Sequence, residues 1–223
     1  MLLKEVINAF RKKNVVQEMT QQIGQMVEAG CWMFEQVSQV LMSERDWESV
    51  AEPLYQRDQK INRLEQSIRE RVVTHLSLDN KLDLGPCLVL MSVVKDAERI
   101  GDYCKNIYEV GKFFRSRWAH PEYVTPLNGI REEIGKLFGP VQEVLKSGDT
   151  SRAREIIGTA GSISKKCEVI IQQLLSTHAD FPADEAVAYV LLARHYKRVV
   201  AHLSNIATSI VSPVPLLDFP GAK

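Results

Sequence analysis

A chain of 223 residues with 45% hydrophobic and 25% charged side chains can bury a real core, as one large domain or two small ones. Its 28 basic and 28 acidic residues cancel, leaving no electrostatic footprint for nucleic acid and no polybasic patch to hold a membrane surface. No apolar run reaches the ~18 residues of a membrane span, and the N-terminus lacks a signal-peptide pattern, so a cytoplasmic address is expected.

In chain order, residues 1–13 read as a short amphipathic helix. Leu2, Leu3, Val6, Ile7 and Phe10 form its apolar face, followed by Arg11-Lys12-Lys13. Packing on the bundle or exchange with a second subunit is preferred over membrane contact, which one short helix supports weakly. A long helix is expected from about Val15 to Met42, on the stripe Val16, Met19, Ile23, Met26, Val27, Phe34, Val37 and Leu41. Ser43 is a candidate cap for a second helix carrying Val50, Leu54, Ile61, Leu64, Ile68 and Val72, which fades around Ser77 to Lys81. Gly85 and Pro86 open a third helix, running to about Phe114. Trp118-Ala119-His120-Pro121 breaks the pattern, dividing the chain into a first bundle, 1–118, and a second, 119–223. Three more helices follow, from about Thr125 to Lys146, Thr150 to Ser176 and Pro182 to Val211, with turns at 147–149 and 179–182. The tail Ser212-Pro213-Val214-Pro215 stops the last helix and is expected to be extended. Strand signals are almost absent, so the fold class is all-α.

Long helices joined by short loops occur three at a time, twice over, and the third helices align without a gap. Lys95-Asp96-Ala97-Glu98-Arg99-Ile100-Gly101-Asp102-Tyr103-Cys104-Lys105-Asn106-Ile107 lies on Arg194-His195-Tyr196-Lys197-Arg198-Val199-Val200-Ala201-His202-Leu203-Ser204-Asn205-Ile206. Glu98 and Asp102, four apart, share a helix face, and Asp58, Asn62 and Glu65 share a face of the second helix. Packed antiparallel, these helices would gather four carboxylates and an amide, a donor set suited to Mg²⁺, Mn²⁺ or iron. The same spacing also describes a solvated face with local ion pairs. Arg99 and Lys95 flank Glu98, and Arg69 stands at the favourable spacing from Glu65.

The run Asp96-x-Glu98-Arg99-Ile100-Gly101-Asp102-x-x-x-Asn106-Ile107 resembles the signature of PhoU proteins, regulators of bacterial phosphate uptake and signalling. Arg194-x-x-x-Arg198-x-x-x-His202-x-x-Asn205-Ile206-Ala207 resembles its second copy, and the likeness covers about Val15 to Val211. The resemblance implies two tandem three-helix bundles related by an internal pseudo-twofold, and no catalytic activity. It implies partnership with a phosphate transporter, ABC or ion-coupled, or with a sensor histidine kinase, and a homodimer is expected. It also implies a divalent metal or iron (Mg, Mn, Fe or Zn) in the first bundle, held by Glu98, Asp102, Asp58 and Glu65 with Asn62. Asp96, Arg99, Asn106, Arg198 and Asn205 would support the motif. The second bundle departs from the pattern: Lys197 and Ala201 replace the motif acids, and Ala160 and Cys167 replace those of the partner helix. No family-type metal site is expected there, and His195 and His202, seven apart, lack a third ligand.

Other readings weigh less. A carboxylate-bridged metalloenzyme of the ferritin-like kind needs Glu-x-x-His pairs, and none occurs. A metal-free helical scaffold or transporter accessory subunit remains an alternative. The cysteines Cys31, Cys87, Cys104 and Cys167 form no CxxC pair and read as small buried hydrophobes in a reducing compartment. Trp32, Phe34 and Trp47 are expected in the core, and Gly101 at a close helix contact.

Overall fold

The structure, a computed structural model, describes residues 3–42, 46–78, 83–114, 118–176, 182–212 and 214–217, with the backbone course alone for 3–14 and 216. Among the described residues, seven α-helices follow in order: α1 Leu3–Leu41, α2 Trp47–Ser77, α3 Leu84–Phe113, α4 Pro121–Gly135, α5 Phe138–Ser147, α6 Thr150–Ser176 and α7 Ala183–Val211. Every regular element among the described residues is helical, as the three- and four-residue apolar spacing requires. Ser43, loop residues 79–81, turn residues 179–181, Pro213 and the apolar side chains of 3–10 lie outside the described residues.

The helices depart from expectation at three places. The N-terminal segment is one helix with the first long helix, because no glycine or proline stands between residue 3 and Ile23 to end it. The expected helix from Thr125 to Lys146 begins earlier, with Pro121 in its first turn, and divides into α4 and α5. Pro140 has no N–H to give the Lys136 carbonyl and its ring crowds that carbonyl. The chain bends at Lys136-Leu137, where Leu137 N–H closes a tight turn on the Ile134 carbonyl at 3.0 Å. The tail, expected extended, forms a single 3₁₀ turn at Val214–Leu216.

Helices α1–α3 make the first trio; α4 with α5, α6 and α7 make the second. One continuous apolar core runs through both. Phe34 of α1 lies at its centre, with ring centroids 5.7 Å from Phe138 and 6.1 Å from Tyr196. Phe34 is buried, while Trp32 and Trp47 are half-buried against the core, Trp32 beneath the Arg57 guanidinium at 4.6 Å. Cys87, Cys104 and Cys167 are buried and Cys31 half-buried, all four as free thiols. At the junction of the halves, buried Glu185 accepts hydrogen bonds from Ala119 N–H at 2.7 Å and the Tyr189 hydroxyl at 2.5 Å. Trp118 packs between Phe114 and Tyr189.

Two glycines mark close helix approaches. A Cβ on Gly101 would stand 3.1 Å from Ile61 Cδ1, which makes this residue the α3–α2 contact that the sequence suggested. Gly111 lies under the Trp47 indole, whose ring atoms would come within 1.8 Å of an added Cβ. Gly148, at φ 68°, ends α5 in the left-handed conformation that glycine adopts without steric cost.

Candidate functional site: two polar clusters on the third helix

The motif on α3 faces two ways. Its acidic side meets α2, and Asp96 meets α7.

On the α2 side, the side chains of Asp58, Asn62, Glu65, Glu98 and Asp102 come together, with Lys105 among them. The Lys105 ammonium donates to Asp58 Oδ2 at 2.8 Å and lies 2.9 Å from Asp102 Oδ1. It bridges the helices from one turn beyond the motif acids. Arg99 pairs with Asp102 at 3.0 Å and with Glu98 at 3.5 Å, and Arg69 pairs with Glu65 at 2.7 Å. Asn62 Nδ2 donates to Asp58 Oδ2 at 3.4 Å, while its buried Oδ1 has no partner. Burial alone would lower the affinity of Lys105 for its proton. The hydrogen bonds and charges of Asp58 and Asp102 outweigh this and hold the ammonium above its usual range.

Glu98 is the acid that this arrangement leaves least compensated. Burial first, then the Asp102 carboxylate, raises its carboxyl from 4.5 to about 7, against an opposing pull from Arg99. The folded protein therefore keeps a proton on Glu98 that the unfolded chain gives up above about pH 4.5. This contribution to stability falls as pH rises from about 4.5 to about 7 and is level beyond. Glu98→Gln keeps a donor for Asp102 without a charge to desolvate. We expect it to flatten that fall and to gain about 1–2 kcal/mol at pH 8 after solvent screening. Urea midpoints at pH 5 and pH 8 measure this; an equal fall in both proteins would refute it.

The metal implied by the resemblance can be tested against these side chains. The carboxylates already hold the cationic heads of Lys105, Arg99 and Arg69. Among the described residues, no three His, Cys, Asp or Glu side chains converge as the ligands of one ion. As placed, the donors do not fit a family-type cluster.

On the α7 side, Asp96 is 1% exposed. Its Oδ1 lies 2.7 Å from His202 Nδ1 and accepts from Asn205 Nδ2 at 3.0 Å, while Oδ2 has no partner. His202 also stacks on Tyr103, with ring centroids 5.6 Å apart, and Tyr103 meets His195 at 5.9 Å. The repeat register lays Asp96 on His195 and Tyr103 on His202. Exchanging the copies therefore turns the Asp96–His202 contact into the Tyr103–His195 contact, as a twofold between antiparallel α3 and α7 requires. His202 is a satisfied histidine. Asn106 borders an apolar groove of about 490 Å³ with Phe113, Val187, Leu191 and His195, and Arg198 is exposed.

Among the described residues, the matching face of the second bundle is not acidic. Ala160 and Cys167, standing for Asp58 and Glu65, are buried core residues. Lys197, standing for Glu98, reaches across to Glu168 of α6 at 2.5 Å.

Sequence reasoning missed Lys105 and the role of Asp96. Lys105 stands three residues after Asp102, the spacing of helical neighbours, and that signal was present. The pairing of Asp96 with His202 spans 106 residues, and no local pattern points to it.

Two helical trios that share one core and pack through their third helices define a duplicated three-helix-bundle protein. The PhoU domain family matches residues 16–110, which make up most of the first trio. A curated relative from Synechocystis sp., a phosphate-specific transport system accessory protein PhoU homolog, is 24% identical over 164 residues, 69% of each chain. The crystal structure of the phosphate transport system regulatory protein PhoU from Streptococcus pneumoniae superposes with a TM-score of 0.77 at 17% identity, covering 90% of this chain and 95% of that one. PhoU from Pseudomonas aeruginosa gives a TM-score of 0.67 at 16% identity, covering 91% and 95%. Residues 16–110 thus match the PhoU domain family, and the chain as a whole shares the fold of these PhoU structures.

Proposed function

We propose that this protein is a non-enzymatic regulator of phosphate uptake or phosphate-responsive signalling. It acts by binding a phosphate transporter, ABC or ion-coupled, or a sensor histidine kinase. The observation that carries the reading is the PhoU domain over residues 16–110, set in a fold shared with PhoU structures over nine-tenths of the chain. The chemistry of the interior supports binding over catalysis. Burial pushes the Cys31 and Cys167 thiols up to about 12, far from a nucleophile's range, and the acidic cluster is occupied by its own cations. No helix among the described residues is long and apolar enough to cross a membrane, so contact with a membrane transporter goes through protein surfaces. A homodimer in the cytoplasm is part of this reading.

Affinity capture of the tagged chain from phosphate-replete and phosphate-starved cells tests it. Enrichment of a phosphate transporter or a sensor kinase, changing with phosphate supply, is expected. Recovery of neither in both conditions would refute the proposal. The relative from Synechocystis is described as an accessory protein. Capture of a transporter in equal amount under both conditions would therefore favour a constitutive accessory subunit.

A further inference from the structure

We propose that Lys105 is the resident cation of the first bundle: its ammonium takes the place between α2 and α3 that a metal ion would need, so this protein holds its acidic cluster together without metal. The inference goes beyond the regulatory reading and stands whether or not that reading does.

Three observations carry it. The Lys105 ammonium sits within 2.9 Å of carboxylates on both helices, Asp58 on α2 and Asp102 on α3. It is half-buried with a side-chain exposure of 21%, and Asp58 beside it is almost fully buried, so water screens the contact poorly. An ion placed between the same two carboxylates would meet the ammonium at contact distance, where like charges repel strongly in a partly desolvated site. The second bundle repeats the device with other residues. There Lys197, on the third helix of its trio, reaches Glu168 on the second helix. Each half thus ties its second and third helices with a lysine from the third.

The arrangement also says what Lys105 restrains. Without it, Asp58 and Asp102 face each other with only Arg99, half exposed, to offset one of them. A small hard cation would then be drawn to the vacated position, with Asp58, Asp102 and the orphaned Asn62 Oδ1 as oxygen donors.

The test uses the full-length protein, its Lys105→Met and Lys105→Arg variants, and Mn²⁺ as the probe. Thermal unfolding is followed in chelator and in millimolar Mn²⁺, and binding is measured by titration calorimetry. Wild type is expected to melt at the same temperature in both media. Lys105→Met should melt lower in chelator, recover in Mn²⁺, and bind one ion at least roughly tenfold tighter than wild type. Adding Asp102→Asn to Lys105→Met should abolish the recovery. Lys105→Arg keeps the charge and should behave as wild type, which keeps the test open if the methionine variant does not fold. Saturable one-to-one Mn²⁺ binding by wild type that raises its melting temperature would overturn the proposal. So would a Lys105→Met protein that neither loses stability in chelator nor responds to Mn²⁺.

Discussion

Asp96→Ala should cost about 3 kcal/mol of folding stability, and Asp96→Asn roughly half as much. The wild-type carboxylate is 1% exposed and receives His202 Nδ1 and Asn205 Nδ2 on one oxygen. Alanine removes that acceptor, strands two donors between α3 and α7, and leaves a void where water has little access. Asparagine keeps an acceptor of the same shape and loses only the charge. In a chain of this size each kcal/mol moves Tm by about 2–4 °C, so the alanine variant should melt roughly 6–12 °C lower. Calorimetry on the three proteins checks the order. An alanine variant that melts with wild type would mean that this contact does not hold the halves together. Amide exchange should rise along α7 before it rises along α2, because the hydrogen bonds of Asp96 run to α7.

Gly111→Ala should destabilise by about 2–3 kcal/mol, although alanine in a helix interior ordinarily stabilises by about 0.5–1 kcal/mol over glycine. The reversal comes from Trp47. An added Cβ would overlap its indole at 1.8 and 2.0 Å, and the ring cannot swing away freely because Tyr108 packs edge-on against it at 5.3 Å. The Tyr108 hydroxyl also donates to the Trp47 carbonyl at 3.1 Å, which fixes the start of α2 beside the end of α3. Gly24→Ala is the matched control, since no atom stands within 4 Å of the new methyl group. It should gain the ordinary fraction of a kcal/mol. Chemical denaturation of both variants decides the matter: a shift of the same sign at the two positions would refute the packing argument.

These two sites show what a single sequence discloses. Apolar spacing located the helices because each buries a stripe, and α6 begins at Thr150 and ends at Ser176 as expected. The division of α4 from α5 was also legible, since Gly139-Pro140 lies inside the expected helix. The proline's quarrel with the Lys136 carbonyl outweighs the periodicity around it. The facing of Asp58, Glu65, Glu98 and Asp102 followed from helical spacing and antiparallel packing. That a lysine would lie between them depended on a side-chain conformation, which spacing does not specify. The Asp96–His202 contact depended on how two bundles dock, and the separation of its partners hides it from any local window. Nothing in the local sequence sets Gly111 apart from other helix glycines, because its reason is an aromatic ring 64 positions earlier in the chain.

The placement of Phe34 has a consequence for how such a duplication lasts. Its ring belongs to the earlier copy, yet it finds its neighbours, Phe138 and Tyr196, in the later one. A polypeptide ending after Phe114 would expose that aromatic face to solvent and leave Asp96 without the donors His202 and Asn205. Each trio thus completes part of its interior with side chains of the other. Mutational drift could therefore strip the later copy of its acids without releasing it, since each copy now completes the other's interior.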